Sequence, residues 1–366
     1  MPPRFSSVVA PLPSIVPFVG PEAQERARGA VFKARIGANE SVFGPSPKAI
    51  AAMRQAAAEC WMYCDPENHD LKTALAREYN LSFGNIVVGE GIDSLFGYTV
   101  RLFVEPGDSV VSSLGAYPTF NFHVAGYGGQ LKTVPYVNDR EDPASVIEAV
   151  RRARPKLVYF ANPDNPMGTC WPADAMQALI DAIPPDTVLV LDEAYIEFAP
   201  SGTAPRIDVS RPNVIRYRTF SKAHGMAGAR VAYAIAEAGV ATAFDKIRNH
   251  FSVNRIAQAG ALAALADKAH LADVLGKVTH AKKMIGVIAR ENGLMPLPSA
   301  TNFVAIDCGR DGVYAKRILD GLIARGIFVR MPGVAPLNRC IRVSAGTEPD
   351  LAAFAEALPQ AIADAG

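Results

Sequence analysis

Short apolar runs alternate along the chain with longer segments that have a helical pattern of apolar and polar positions. Near-continuous apolar runs of this length predict strands that are buried on both faces of a sheet. The predicted strands are 86–88, 109–113, 156–160, 187–192, 213–217 and 230–236. The predicted helices are 47–60, 69–79, 92–103 and a helix that begins at 143 and ends in the basic run near 154. This alternation predicts an α/β fold with a mostly parallel central sheet and helices on both faces.

The pattern changes after residue 251. Two long Ala-rich helices are predicted at 256–269 and 272–292, followed by strands at 302–307, 327–330 and 340–344 and a final helix from Glu348. This order indicates a smaller α+β domain. We therefore predict an N-terminal arm at 1–42 that belongs in part to the small domain, a large domain at 43–250, and connecting helices with a small C-terminal domain at 251–366.

Composition narrows the class of protein. The chain has 366 residues, of which 49% are hydrophobic and 20% are charged, so it can bury a large core and form about two domains. Lys and Arg number 37 against 36 Asp and Glu, a balance that argues against nucleic-acid and membrane-surface binding. No secretory signal or membrane span is recognised, and five cysteines favour a reduced compartment. We expect a cytoplasmic enzyme without a catalytic metal, since the six histidines lack ligand spacing.

The segments that follow the predicted strands carry the candidate chemistry, because ligands of open α/β sheets bind outside the carboxyl ends of the strands. These segments are Gly89-Glu90-Gly91-Ile92-Asp93, Asn162-Pro163-Asp164-Asn165, Asp192-Glu193-Ala194-Tyr195 and Thr219-Phe220-Ser221-Lys222, with Arg230 at the start of the next strand. Taken singly, each has an ordinary interpretation as a turn, a salt bridge or a solvated lysine. Together they bring an anion-binding helix start, an amide, an acid, a phenol, an amine and a guanidinium to one edge.

Pyridoxal 5′-phosphate requires this combination of groups: an amine for a Schiff base, an acid for the ring nitrogen and donors for the phosphate. A dinucleotide site is disfavoured because Ser94 stands at the third glycine position of the loop, and the sequence has no phosphate-binding P-loop. A non-catalytic binding protein is disfavoured because every cofactor contact is present.

The order of these motifs resembles the fold-type I, class I/II aminotransferases that depend on pyridoxal phosphate, and most of all the histidinol-phosphate aminotransferase group. The most specific pieces are NPDNPMG at 162–168, VLDEAYIEF at 190–198 and TFSKAHGMAGAR at 219–230. The resemblance extends from Gly37 to Ser344. It implies a homodimeric enzyme of amino-acid biosynthesis that moves an amino group from histidinol phosphate or an aromatic amino acid to a 2-oxo acid such as 2-oxoglutarate.

Carried over residue by residue, the resemblance implies the following roles. Lys222 forms the Schiff base and then moves protons, and Asp192 pairs with the ring nitrogen. The remaining cofactor contacts are Tyr195 and Asn165 at the phenolic oxygen, Tyr117 on the ring, and Ser221, Arg230, Gly91, Ile92 and Asp93 at the phosphate, with Tyr63 reaching the phosphate from the partner subunit. The substrate contacts are Arg342 at the α-carboxylate, Arg330 near the distal group, Asn39 and Phe18.

One departure from the family pattern bears on the substrate. Histidinol-phosphate enzymes carry a Pro-Tyr pair near the N-terminus that helps to bind the substrate phosphate, and here the pair is Pro17-Phe18. One hydroxyl donor is therefore missing, and an aromatic amino acid is a close second as donor. The same fold also supports decarboxylation, cyclisation and racemisation, which differ in the bond that is broken, and these remain alternatives.

Overall fold

The computed structural model describes residues 3–14 and 18–366, so Pro17 lies outside the described residues. Its strands are β1 (Ala34–Arg35), β2 (Ile86–Gly89), β3 (Ser109–Ser113), β4 (Gln130–Val134), β5 (Leu157–Ala161), β6 (Val188–Asp192), β7 (Val214–Thr219), β8 (Ala232–Ile235), β9 (Met295–Pro296), β10 (Phe303–Asp307), β11 (Ile327–Phe328) and β12 (Cys340–Ser344). Its α-helices are α1 (Pro21–Arg28), α2 (Pro47–Ala57), α3 (His69–Tyr79), α4 (Ile92–Phe103), α5 (Pro118–Gly126), α6 (Pro143–Ala153), α7 (Ala173–Ala182), α8 (Ala238–Ala243), α9 (Arg255–Ala266), α10 (Lys268–Glu291), α11 (Gly312–Ala324) and α12 (Glu348–Ala365).

The central sheet has seven strands in the order β2-β8-β7-β6-β5-β3-β4. Five neighbouring strands are parallel to one another, namely β4, β3, β5, β6 and β7. β8 is antiparallel to both of its neighbours, β7 and β2. Every position of β5, β6 and β7 is buried, as expected for strands with helices on both faces. The predicted α/β class and mostly parallel sheet are confirmed.

The C-terminal part of the chain forms a separate three-stranded antiparallel sheet in the order β12-β10-β9, and β1 pairs in parallel with β11. An apolar cluster joins β1, β10, β11 and β12 to α10, α11 and α12. α9 packs instead against α2, where Gly260 lies close to Met53. The domain boundaries at 42 and 250 stay predictions.

Several predicted element ends differ from the structure. The first predicted helix ends at Ala57 instead of 60, and the strand predicted at 327–330 ends at Phe328. The strand predicted from 230 begins at Ala232, because Arg230 has a φ of 57° and leaves the extended conformation. β4 was not predicted, since four of its five residues are exposed and polar positions interrupt the apolar pattern. Within residues 3–14 and 18–366, no helix has the length and apolarity needed to span a membrane.

Candidate active site

The carboxyl ends of β2, β5, β6 and β7 lie at one edge of the central sheet. β2, β5, β6 and β7 run in the same direction, and only β8 is reversed, so the start of β8 meets the ends of the others. Arg230, two residues before β8, therefore lies at the edge reached by the residues after β2 and β7. The topology brings the predicted strand-end residues together.

The start of α4 lies beside the guanidinium of Arg230. Gly91 caps the helix with a φ of 98°, a conformation that glycine tolerates, and without a side-chain cap. A Cβ atom at this position would also meet the guanidinium of Arg230, but that side chain can move, so the positive φ is the reason for glycine here. Nη2 of Arg230 lies 3.9 Å from Oδ2 of Asp93. Ile92 is buried at the start of the helix, and Ser221, after β7, is buried and bonded to Thr219. Unpaired helix-start N–H groups beside a guanidinium favour an anion.

Tyr117 also reaches this helix start. Its hydroxyl donates a hydrogen bond to Oδ1 of Asp93 over 2.9 Å. Burial and then the Asp93 carboxylate raise the pKa of Tyr117 well above its ordinary value. The phenol therefore stays protonated, with its ring held between the start of α5 and the start of α4.

Asp192 ends β6 and is buried. Oδ2 accepts a hydrogen bond from the hydroxyl of Tyr159 over 2.7 Å, and Oδ1 accepts one from the N–H of Ala194 over 2.9 Å. Burial raises the pKa of Asp192 to about 6, and the two neutral donors offset this rise only in part. A cation placed against this carboxylate would therefore be strongly favoured.

Lys222 follows β7, and its Nζ lies 5.7 Å from the ring centroid of Tyr195. Burial, and then the charge of Arg342, lowers the pKa of Lys222 to about 8. An amine of this kind is half neutral near pH 8, which makes it a better nucleophile than a solvated lysine. The fold thus places the amine of Lys222 after β7, at the edge of the sheet where Asp192 ends the neighbouring strand β6.

The hydroxyl of Tyr195 is fixed by two amides. Nδ2 of Asn39 donates to it over 2.9 Å, and Nδ2 of Asn165 does so over 3.5 Å. Burial raises the pKa of Tyr195 to about 12, although Arg342 opposes the shift. Tyr195 is therefore a neutral hydroxyl at physiological pH.

Two guanidiniums line the same region. Nη1 of Arg342 donates to Oδ1 of Asn165 over 2.6 Å, and its Nε has no hydrogen-bond partner among the described residues. The guanidinium of Arg330 lies 4.1 Å from the ring centroid of Phe18, and its Nη1 is likewise unpaired within that part of the chain. Burial lowers the pKa of both arginines, to about 10 for Arg342. Buried, unpaired guanidinium nitrogens favour an anionic group.

Tyr63 is the one predicted cofactor residue that the single chain places elsewhere. Its side chain is 78% exposed and stacks on Phe251 with ring centroids 4.6 Å apart. Trp61 beside it is 83% exposed. The predicted contribution of Tyr63 to the site of a partner subunit stays a prediction.

Sequence reasoning missed the residues that hold the predicted ones in place. Tyr159 orients Asp192, while Asn39 accepts a hydrogen bond at its carbonyl from Asn302 and exchanges two hydrogen bonds with Ser344. A phenol inside the apolar run of β5 was a usable signal for Tyr159, since a buried hydroxyl needs a partner. The other two contacts join distant segments and leave no local pattern.

Comparison with known proteins agrees with this geometry. The family model described as "Aminotransferase class I and II" matches residues 33–358. A histidinol-phosphate aminotransferase of Moorella thermoacetica is 30% identical over 99% of this chain and 94% of its own length. The crystal structure of histidinol-phosphate aminotransferase from Sinorhizobium meliloti in complex with pyridoxal-5′-phosphate is 56% identical, covers 99% of this chain and 98% of its own, and superposes with a TM-score of 0.97. The chain therefore belongs to the class I and II aminotransferases, the family that its strand-end motifs resemble.

Proposed function

We propose that the protein is a pyridoxal-phosphate-dependent aminotransferase that takes the amino group of histidinol phosphate and passes it to a 2-oxo acid such as 2-oxoglutarate. The observation that carries this proposal is that the paired parallel strands β6 and β7 lead to the buried acid Asp192 and the amine of Lys222 at one edge of the sheet. Burial also lowers the pKa of Lys222 to about 8. Membership of the aminotransferase family and the names of the relatives support it.

The residues present fit the cofactor. Asp192 is a buried carboxylate that receives only neutral hydrogen bonds, which suits a protonated ring nitrogen. The uncapped start of α4 with Gly91 and Arg230 suits the phosphate. In this proposal Asn165 and Tyr195 hold the phenolic oxygen, Tyr117 packs on the ring, and Ser221, Ile92 and Asp93 complete the phosphate site.

When bound, the cofactor supplies a protonated ring that accepts the electron pair released when the donor loses its α-proton. Lys222 binds the cofactor and then, once its Nζ is free, takes the proton from the amine-bearing carbon of the donor. The same Nζ returns a proton in the following step, a task suited to a group whose pKa lies near the working pH. Asp192 holds the charge on the ring nitrogen throughout.

The substrate assignment depends on the two arginines. A phosphate needs several donors, and the unpaired nitrogens of Arg342 and Arg330 provide them. Arg342 also suits the carboxylate of the 2-oxo acid, with Asn39 beside it. One observation favours an aromatic amino acid as a second candidate: Phe18 covers the Arg330 guanidinium with a ring that has no hydroxyl to donate.

We also propose that the active unit is a cytoplasmic homodimer with shared sites. The exposed aromatic group of Trp61, Tyr63 and Phe251 supports this, since a stacked pair of large side chains is unusual on a free surface. Tyr63 would then reach the phosphate site of the partner.

A donor screen tests the proposed function. The protein loaded with pyridoxal phosphate is mixed with a single donor and no 2-oxo acid, and the loss of the visible cofactor band is followed. Histidinol phosphate should bleach the band at a far lower concentration than phenylalanine, tyrosine or aspartate does. Bleaching by aromatic amino acids alone would establish the second candidate, and release of CO₂ from a donor without bleaching would indicate a decarboxylase.

A further inference from the structure

Two carboxyl groups lie against each other behind the loop that carries Asn165. Glu141 is 1% exposed and Asp164 is 2% exposed, and their carboxyl groups are within hydrogen-bond reach of one another. Neither belongs to the cofactor or substrate contacts described above. They are buried titratable groups to which the aminotransferase reaction assigns no role.

The donors around this pair are neutral. Glu141 accepts hydrogen bonds from the hydroxyl of Ser113 over 2.9 Å and from the N–H of Ala161 over 3.3 Å. Asp164 accepts them from the hydroxyl of Tyr136 over 2.7 Å and from the N–H of Met167 over 3.0 Å. Each of the four carboxyl oxygens thus has one neutral donor, and none of these donors supplies a positive charge to the pair.

Two ionised carboxylates in contact at a buried site repel each other strongly. Burial, and then the charge of Asp164, raises the pKa of Glu141 well above its ordinary value, and burial raises the pKa of Asp164 as well. Arg342 is the nearby cation on the Asp164 side and opposes the shift only in part. Burial and the charges of Asp192 and Glu141 raise the pKa of Tyr159, so its phenol is neutral. Tyr159 therefore adds no charge that would oppose a proton shared by Glu141 and Asp164.

The pair is tied to the site through the backbone of the loop. The N–H of Asp164 donates to the carbonyl of Thr169 over 2.8 Å, and the indole N–H of Trp171 donates to the carbonyl of Glu141 over 2.7 Å. Asn165 follows Asp164 directly and contacts both Arg342 and Tyr195. A change in the separation of the two carboxyls would therefore move Asn165.

We propose that Glu141 and Asp164 share one proton and act together as positioning residues that hold Asn165 against Arg342 and Tyr195. The proposal rests on the cofactor and substrate roles given to Asn165 and Arg342 above. Loss of the shared proton at higher pH leaves two adjacent carboxylates, which separate and displace the loop.

Two substitutions test the pair, because each supplies a permanent donor in place of the proton. In Asp164→Asn the new amide donates to Glu141, and in Glu141→Gln it donates to Asp164. Asp186→Asn, which neutralises an exposed acid, is the matched control. Either variant is sufficient if the other fails to fold.

The first measurement is the thermal midpoint of the cofactor-free protein between pH 5 and 9. The folded pair keeps a proton that the unfolded chain releases, so folding stability is lost as pH rises between the unfolded and the folded pKa values. Wild type and the Asp186→Asn control should therefore lose thermal stability relative to Asp164→Asn or Glu141→Gln as pH rises. In addition, the infrared C=O band of a protonated carboxyl at pH 7 should be weaker in both variants. Neither measurement needs an amino donor, so the result is independent of the substrate assignment.

The second measurement is the ratio of kcat/KM of each variant to that of wild type, with whichever donor the screen identifies. We expect the ratio to rise by more than about threefold from pH 6 to pH 9, because only the wild-type pair titrates. A purely structural role would lower activity by the same factor at every pH. A flat ratio together with parallel midpoint curves would overturn the proposal.

Discussion

Asp192 and Glu193 are adjacent acids, and the structure predicts opposite consequences for their removal. Successive strand residues point to opposite faces of the sheet, so the two side chains have different surroundings. Asp192 meets the site edge, whereas Glu193 is bound on the other face by Arg216 and Arg218, with Nε of Arg218 at 2.9 Å and Nε of Arg216 at 3.1 Å. Burial opposes the ionisation of Glu193, but the charges of Arg218 and Arg216 outweigh it and lower its pKa.

Glu193→Gln removes the carboxylate that pairs with two buried guanidiniums. The Glu193 side chain is 1% exposed, and those of Arg216 and Arg218 are 4% and 10% exposed. Breaking a buried pair in this way costs about 3–5 kcal/mol. An unfolding entropy of about 2.1 cal/mol/K per residue gives about 0.77 kcal/mol/K for the chain, so the melting temperature should fall by roughly 4–6 °C.

Asp192→Asn should show the reverse pattern. The amide keeps the shape, and the Tyr159 hydroxyl can turn to accept from it, so the melting temperature of the cofactor-free protein should change by less than about 2 °C. The charge opposite the ring nitrogen is lost, and kcat should fall by at least about 10²-fold. Glu193→Gln should keep kcat per folded site within about threefold of wild type.

The assay combines circular-dichroism melting of the cofactor-free protein with amino transfer by the loaded protein at a temperature where both variants are folded. Glu148→Gln is the matched control, because it removes the exposed pair of Glu148 with Arg152, whose side chains are 67% and 71% exposed. Such a pair contributes about 0–1 kcal/mol, so its melting temperature should hardly change. An unchanged melting temperature in Glu193→Gln, or near-normal turnover in Asp192→Asn, would refute this division of roles.

Three further predictions concern the amine, the partner subunit and the substrate. Because the pKa of Lys222 is about 8, the rate of covalent cofactor binding by the cofactor-free protein should rise with pH and level off just above pH 8. An ordinary lysine would be only about 0.3% neutral near pH 8. A rate that keeps rising to pH 10 would contradict the lowered pKa. Mixing inactive Lys222→Ala with Tyr63→Phe under conditions of subunit exchange should restore activity above that of either variant, and no gain would argue against a shared site. Arg330→Ala should lower kcat/KM for histidinol phosphate far more than for phenylalanine, and equal losses would shift the assignment to an aromatic donor.

The sequence predicted most of the central sheet because its strands are mostly apolar, although β7 carries Arg216 and Arg218. β5 and β6 have no exposed position, and polar residues appear only where each strand ends. The change from apolar strand to polar segment also identified Asn165, Asp192 and Lys222 as candidate site residues. β4 escaped prediction because an edge strand with one covered face lacks that contrast.

The contacts that organise the site could not be predicted from the sequence. In the folded sheet, β5 and β6 pair so that Ala161 lies beside Asp192, and Tyr159, two residues before Ala161, therefore faces the same side as the acid. This pairing register is set by the folded sheet and cannot be read from either strand alone. Glu141 follows β4 but bonds to Ala161 at the end of β5 and to Trp171 beyond it, and such contacts between distant segments leave no local sequence pattern. The exposed position of Tyr63 has no explanation within a single chain, because its predicted contact is with the phosphate site of a partner subunit.

The most direct test of the account is to identify the lysine that binds the cofactor. The protein is loaded with pyridoxal phosphate, reduced with borohydride, digested and mapped by mass spectrometry. We predict a single pyridoxyl group on Lys222, with loss of the visible band on reduction and no label at this position in Lys222→Ala. A label on another lysine of the wild-type protein, or a visible band that borohydride leaves unchanged, would contradict it.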